Sequence, residues 1–165
     1  MHIHGVCTSQ AYPALLELVT ALQGLPYELN AKAPALGLSV PLPGSIMLSR
    51  LPPGAGTPRR LHGSVGGQAT GFVVTALYFI AQHWEPDMGG QLLLTAAAAA
   101  DSGTAAAAPV EVEPLADRLV LFKSRDVWCE RTAVRAPVTA ATGHADTAAA
   151  AQWTLTFWMH GSGAV

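Results

Sequence analysis

Apolar residues follow two patterns in this chain, one near its start and another from Ser45 onward. Over residues 12–23, Leu15, Leu16, Val19 and Leu22 recur at helical spacing. Pro13 suits a first turn and Gly24 an end, so an amphipathic helix is expected over Tyr12–Gln23. Pro34, Pro41 and Pro43 then punctuate the stretch 34–44, which reads as a linker loop. Beyond it come short β-rich runs separated by turns. They are Ile46–Leu51, stopped by Pro52-Pro53-Gly54; Phe72–Ile80, suited to burial on both faces; Gln91–Thr95 after Gly89-Gly90; Val110–Glu113; Arg118–Phe122; and Trp153–Met159. Strands at this spacing predict an all-β barrel or sandwich over residues 45–160 behind one N-terminal helix. Two alanine-rich stretches, 96–108 and 140–151, fall between predicted strands, where insertions cost little beyond loop closure.

Composition narrows the classes. At 165 residues the chain has the length of one domain able to bury a core. Only 12% of its residues are charged and the net charge is −2, which gives no electrostatic case for nucleic acid or an anionic membrane. The longest strongly apolar run, Gly71–Ala81, is about half of what a bilayer span needs. The opening Met1-His2-Ile3-His4-Gly5 lacks the basic and apolar regions of a signal peptide. Cys7 and Cys129 make no disulfide framework and no CxxC zinc site, and they suit a reducing compartment. The expectation is an intracellular, cytoplasmic domain.

A string of motifs in order between Ser45 and Met159 sharpens the picture. Ser45-Ile46-Met47-Leu48-Ser49-Arg50-Leu51-Pro52-Pro53-Gly54 ends in a Pro-Gly turn, and Arg60-Leu61-His62 follows it. Val74-Thr75-Ala76-Leu77-Tyr78-Phe79-Ile80 leads to Trp84 and the turn Gly89-Gly90-Gln91-Leu92. Then come Pro114-Leu115-Ala116-Asp117-Arg118-Leu119-Val120-Leu121-Phe122-Lys123-Ser124 and the closing Trp153-Thr154-Leu155-Thr156-Phe157-Trp158-Met159. Together these resemble the C-terminal core of prolyl 4-hydroxylase-type Fe(II)/2-oxoglutarate dioxygenases, above all their oxygen-sensing branch. The resemblance implies a double-stranded β-helix, a jelly-roll barrel.

It also implies a site. Such enzymes hold Fe(II) with a histidine, an acid two residues on and a distant histidine, and a basic residue on the closing strand grips the far carboxylate of 2-oxoglutarate. His62 stands at the first ligand position, but Ser64 replaces the acid. The second histidine's position falls on Cys129 or Glu130, Gln152 replaces the basic residue, and Phe79 replaces a tyrosine. The expectation is a catalytically degenerate domain with no cofactor, serving as a structural or interaction subunit among other protein subunits. The alternative is an active Fe(II)/2-oxoglutarate-dependent prolyl 4-hydroxylase with a shifted ligand set.

The bland readings stand beside these. His62 reads as a remnant ligand or as a histidine hydrogen-bonded at the barrel mouth. His62, Cys129 and Glu130 together read as a rearranged metal site or as ordinary barrel residues. His2, His4, His83, His144 and His160 read as surface residues, and Asp117-Arg118 as a structural turn. Trp84, Trp153 and Trp158 read as core anchors, while Trp128, in a segment expected to be irregular, reads as either anchor or partner contact. The helices and strands that flank this barrel in the family are missing before Tyr12. Either the chain is a piece of a longer polypeptide or a neighbouring protein covers the exposed face.

Overall fold

A computed structural model of the chain describes residues 12–39, 45–80, 83–97, 108–135 and 151–162. His2, His4, Cys7, His144 and most of both alanine-rich stretches lie outside the described residues, so the readings made there are not developed. The one α-helix among the described residues, α1 (Pro13–Lys32), extends past its expected end at Gln23. It continues through Gly24 and Pro26 because the apolar stripe continues: Leu22 is buried, and Leu15, Leu18, Leu25 and Leu29 pack on the same cluster. That burial outweighs the roughly 1 kcal/mol a helical glycine costs and the larger penalty of a helical proline. The stripe is rotated from the expected one, since Leu16 lies exposed. Within the expected loop, Pro34–Leu36 forms a 3-10 turn. The Asn30 amide clamps the chain after it, donating to the Leu38 carbonyl at 2.8 Å and accepting from the Leu38 N–H at 3.0 Å.

Ten strands follow among the described residues: β1 (Ser45–Leu51), β2 (Thr57–Leu61), β3 (Ser64–Val65), β4 (Gln68–Ala69), β5 (Phe72–Phe79), β6 (Leu92–Ala96), β7 (Val110–Val112), β8 (Leu119–Lys123), β9 (Val127–Arg131) and β10 (Gln152–His160). They form two four-stranded sheets, β1-β10-β5-β8 and β2-β9-β6-β7, antiparallel throughout, with β3-β4 as a small separate hairpin. The expected all-β core behind one helix is the observed architecture, and its arrangement is a jelly-roll. Four strands went unforeseen, the short pair β3 and β4 and the longer β2 and β9. β2 carries Pro58, which is tolerated because β2 lies at a sheet edge with an irregular register opposite β9. β9 occupies the stretch expected to be irregular around Trp128. Trp128 is half-buried there with the Arg59 guanidinium 5.1 Å from its ring centre.

Alternation divides the first sheet into two unlike faces. Leu155, Phe157 and Met159 of β10 and Val74 and Ala76 of β5 point outward and pack under α1 with Leu22 and Leu38. On the inner face, Leu77 and Phe79 meet Leu92, Phe122 and Cys129 from across the barrel. The same inner face carries the buried polar side chains Thr75, Gln152, Thr154 and Thr156, so the barrel lining is mixed. The Asp117-Arg118 turn keeps its structural role. Asp117 adopts a left-handed φ of 61°, its N–H donates to the Phe79 carbonyl at 3.1 Å, and the Tyr78 hydroxyl donates to its carboxylate. No helix among the described residues is long and apolar enough to cross a membrane.

Candidate functional site

The polar groups of the barrel interior gather in two places. The first centres on His62, just after β2 and 7% exposed. Its position depends on Gly63, whose N–H donates to the Ser124 carbonyl at 2.7 Å. A Cβ at Gly63 would lie 2.9 Å from the Arg125 backbone, so only glycine permits this crossing. The Trp158 indole N–H donates to His62 Nδ1 at 3.0 Å, and the Thr75 hydroxyl lies 3.2 Å from the same nitrogen. Thr75 in turn shares a hydrogen bond with the Ser124 hydroxyl at 2.8 Å. His62 Nε2 faces Cys129 Sγ at 3.3 Å.

These contacts fix the tautomer. Burial, helped by the nearby Arg60 charge, lowers the His62 pKa from 6.5 to about 4, so the ring is neutral at pH 7. An indole N–H can only donate, so Nδ1 must be the acceptor and Nε2 carries the proton. That proton points at Cys129 Sγ. Burial also pushes the Cys129 thiol up, against a smaller lowering by Arg60, so it resists ionising.

Strand alternation decides between the two residues expected at the second ligand position. Along β9, Cys129 and Arg131 are buried while Glu130 alternates to the other face. Cys129 is therefore the residue brought to His62. Ser64 begins β3 and is half-buried. Among the described residues no group of three or more His, Cys, Asp or Glu side chains gathers to hold a metal.

This donor set does not fit Fe(II) bound in the family's manner. A neutral imidazole that gives Nε2 to a metal must carry its proton on Nδ1, and here that proton would meet the Trp158 N–H donor. Metal-ligating histidines have the opposite surroundings, an acceptor at the second nitrogen. The remaining candidates are a serine hydroxyl, which stays protonated, and a thiol that burial keeps protonated.

The second gathering lies around Gln152 and Phe79, both fully enclosed at 4% and 0% exposed. Arg131 reaches them from β9 across the barrel. Its Nε and Nη2 donate to the Gly90 carbonyl at 3.2 and 3.1 Å, and Nη2 also donates to Gln152 Oε1. The Gln152 amide donates to the Gly89 carbonyl at 2.9 Å, which turns its oxygen toward the guanidinium. The Phe79 ring centre lies 5.3 Å from the Arg131 guanidinium carbon. Gly90, at a φ of 75°, admits this approach, because a Cβ there would collide with the Gln152 amide. The motif comparison overlooked Arg131. The alternation Val127-Trp128-Cys129-Glu130-Arg131 held the signal, since it puts a cation on the same face as a buried cysteine.

Two antiparallel four-stranded sheets closed on a mixed interior, with a helix on the outer face, define a double-stranded β-helix of the oxygenase kind. More particularly, the chain has the fold of prolyl 4-hydroxylases. A prolyl-4-hydroxylase from Pseudomonas putida superposes with a TM-score of 0.61 at 26% identity, over 90% of this chain and 66% of that one. A prolyl 4-hydroxylase from Phytophthora capsici gives 0.68 at 22% identity, over 98% and 47%. The Trichoplax adhaerens prolyl hydroxylase, solved with a hypoxia inducible factor peptide fragment, gives 0.64 at 22% identity, over 90% and 56%. The chain thus spans about half to two-thirds of the length of these structures. No protein-family model matches the chain, and no curated protein matches it by sequence.

Proposed function

We propose that this chain is an oxygenase-fold domain that does not carry out Fe(II)/2-oxoglutarate chemistry and acts as a structural or interaction domain in a larger protein assembly. The observation that carries this reading is the hydrogen bonding of His62: Trp158 donates to Nδ1, so the nitrogen facing the barrel holds a proton rather than a free lone pair. The replacement of the acid and the second histidine by Ser64 and Cys129 supports the same reading. The interaction role draws on the outer face of β8, where Leu119 and Leu121 stand exposed at the edge of the first sheet. Apolar side chains on an uncovered sheet edge suit contact with a neighbouring protein.

The second reading, an active prolyl 4-hydroxylase, requires His62 to move its proton to Nδ1 and Trp158 to turn away. Two measurements separate the readings. Protein purified and supplied with Fe(II) and 2-oxoglutarate is expected to hold no stoichiometric iron and to release no succinate. Isolated from its native host, the chain is expected to elute in an assembly well above its own 17.1 kDa. One equivalent of iron, lost in His62→Ala, together with succinate release would overturn the proposal.

A further inference from the structure

The edge of a sheet presents backbone groups that can pair with another chain, and folded proteins guard it with proline, charge, irregular register or shortness. Among the described residues the second sheet is guarded at both ends. β2 carries Pro58, Arg59 and Arg60 in an irregular register, and β7 is three residues long with Glu111 at its centre. In the first sheet, β1 carries Arg50, and its Ile46 and Leu48 pack on the cluster under α1. β8, at the other end, is different. Its run Leu119-Val120-Leu121-Phe122 holds no charge, proline or glycine, its one charged residue Lys123 comes last, and its register with β5 is regular. Hydrogen bonds at both ends give the direction of its backbone groups. The Phe79 N–H donates to the Arg118 carbonyl at 3.0 Å, and the Ser124 N–H to the Val73 carbonyl at 2.9 Å. Arg118, Val120, Phe122 and Ser124 therefore bond toward β5, and the N–H and C=O groups of Leu119, Leu121 and Lys123 face outward. The Leu119 and Leu121 side chains are exposed and stand opposite Tyr78 and Ala76, on the face of the sheet that carries α1.

We propose that β8 pairs antiparallel with β8 of a second copy of this chain, about a two-fold axis through Val120, so that the two first sheets become one. The order of residues along the strand is self-complementary about that point. Leu119 comes opposite the partner's Leu121, where the outward backbone groups of the two residues meet, and Lys123 comes opposite the partner's Asp117. Sliding the copies by two residues, the smallest shift that keeps the outward groups paired, sets Lys123 against the partner's Leu119 or Asp117 against its Leu121. Apolar pairs and opposite-charge pairs stabilise a ladder, and a charge facing a leucine forms neither. The leucines of the two copies then make a continuous apolar patch across the axis. Lys123 is free to change partners, because its ion pair with Asp126 at 3.2 Å is exposed on both sides and such pairs are worth little. Asp117 is also exposed, and its carboxylate has lone pairs left beside the one that Tyr78 uses. Pairing consumes the β8 edge of each copy, so the assembly closes at two. This proposal rests on the interaction reading above and names its partner.

The test uses the whole chain under reducing conditions. Sedimentation equilibrium over a range of concentrations is expected to reach a mass twice the chain's 17.1 kDa. Leu121→Lys sets an ammonium group against the partner's Leu119 and is expected to raise the dissociation constant at least about tenfold. Leu121 is exposed in the single chain, so the circular dichroism of that variant should match wild type. Lys123→Glu turns each opposite-charge pair into a like-charge pair and is expected to weaken the dimer by a smaller factor that shrinks as salt is added. The register has its own readout. Val120 faces its own copy across the axis, at about 4.5 Å between Cα atoms for such a pair, which a disulfide can span. Val120→Cys is therefore expected to give a covalent dimer on mild oxidation, beyond the level of wild type. Leu119→Cys and Leu121→Cys lie two positions from their own copies along the ladder and are expected to give none.

A wild-type chain that stays monomeric up to about 1 mM overturns the proposal. So does a dimer that Leu121→Lys leaves intact, or one that Leu119→Cys or Leu121→Cys locks and Val120→Cys does not. A purified monomer whose assembly in the native host is lost in Leu121→Lys means that a different protein occupies β8; it overturns this proposal alone and supports the interaction reading. Succinate release by an iron-loaded dimer overturns the metal-free reading and leaves the pairing standing.

Discussion

His62 and Arg131 are buried in the same barrel, yet their surroundings differ in kind. Around His62 the chain is complete: Trp158, Thr75, Ser124 and Cys129 meet one another or the ring, and each group can remain neutral. Around Arg131 the hydrogen bonding is well formed, but no carboxylate among the described residues answers the charge. A closed neutral network needs nothing from outside, and it resists whatever would change its proton arrangement. The His62 network is thus self-sufficient, whereas the Arg131 cation is met by neutral acceptors only among the described residues.

Several changes would break or sharpen this contrast. The largest loss is expected for Gly90→Ala, which strains a positive φ and drives a methyl into the Gln152 amide. It should cost about 3 kcal/mol or more in denaturant unfolding and release the Arg131 contacts. Acid comes next. The His62 pKa is about 4 in the folded chain and 6.5 ordinarily, so between these values the unfolded chain takes up a proton that the folded one refuses. Stability should therefore fall as pH drops from 6.5 towards 4, by up to about 3 kcal/mol, and this component should level off below. Chemical denaturation across that window, compared with His62→Gln, isolates the effect; an unchanged slope in the variant would remove His62 as its source.

A smaller change is expected at Thr75. Thr75→Val removes the hydroxyl between His62 and Ser124 and leaves the Ser124 hydroxyl short of a buried partner, costing about 1–2 kcal/mol. The smallest concerns the two faces of β9. Glu130→Ala should stay within about 0.5 kcal/mol of wild type, and Cys129→Ala should cost about 1 kcal/mol, measured by the same unfolding. Equal losses would mean that the face assignment is wrong.

Much of the fold was legible before the structure. β5 and β10 announce themselves by β-branched and aromatic residues, and the pattern alone gave an all-β barrel or sandwich; the jelly-roll came from the family resemblance that these motifs, Gly89-Gly90 and Asp117-Arg118 carry in order. The helix was expected to end at Gln23 because Gly24 is a local stop signal, while Leu25 and Leu29 act only once a sheet lies beneath them. β2 escaped because Pro58, Arg59 and Arg60 leave it no apolar alternation; its pairing is supplied by β9, which is distant in sequence. Of the family positions expected at the site, the structure buries His62, Phe79 and Gln152 and leaves Ser64 half-buried. The choice of Cys129 over Glu130 needed the pleat of β9, and the role of Trp158 needed β10 placed across from His62. Hydrogen-bond direction at His62 Nδ1 is a tertiary fact, and no spacing in the sequence encodes it.

The most direct measurement concerns Nε2 of His62 and the thiol it faces. Cobalt(II), a spectroscopic stand-in for iron, is titrated into the reduced chain at neutral pH and followed in the near-ultraviolet. The account predicts no saturable thiolate-to-cobalt band, because Nε2 carries its proton and the Cys129 thiol keeps its own. A band that saturates at one equivalent and disappears in both Cys129→Ser and His62→Ala would contradict it.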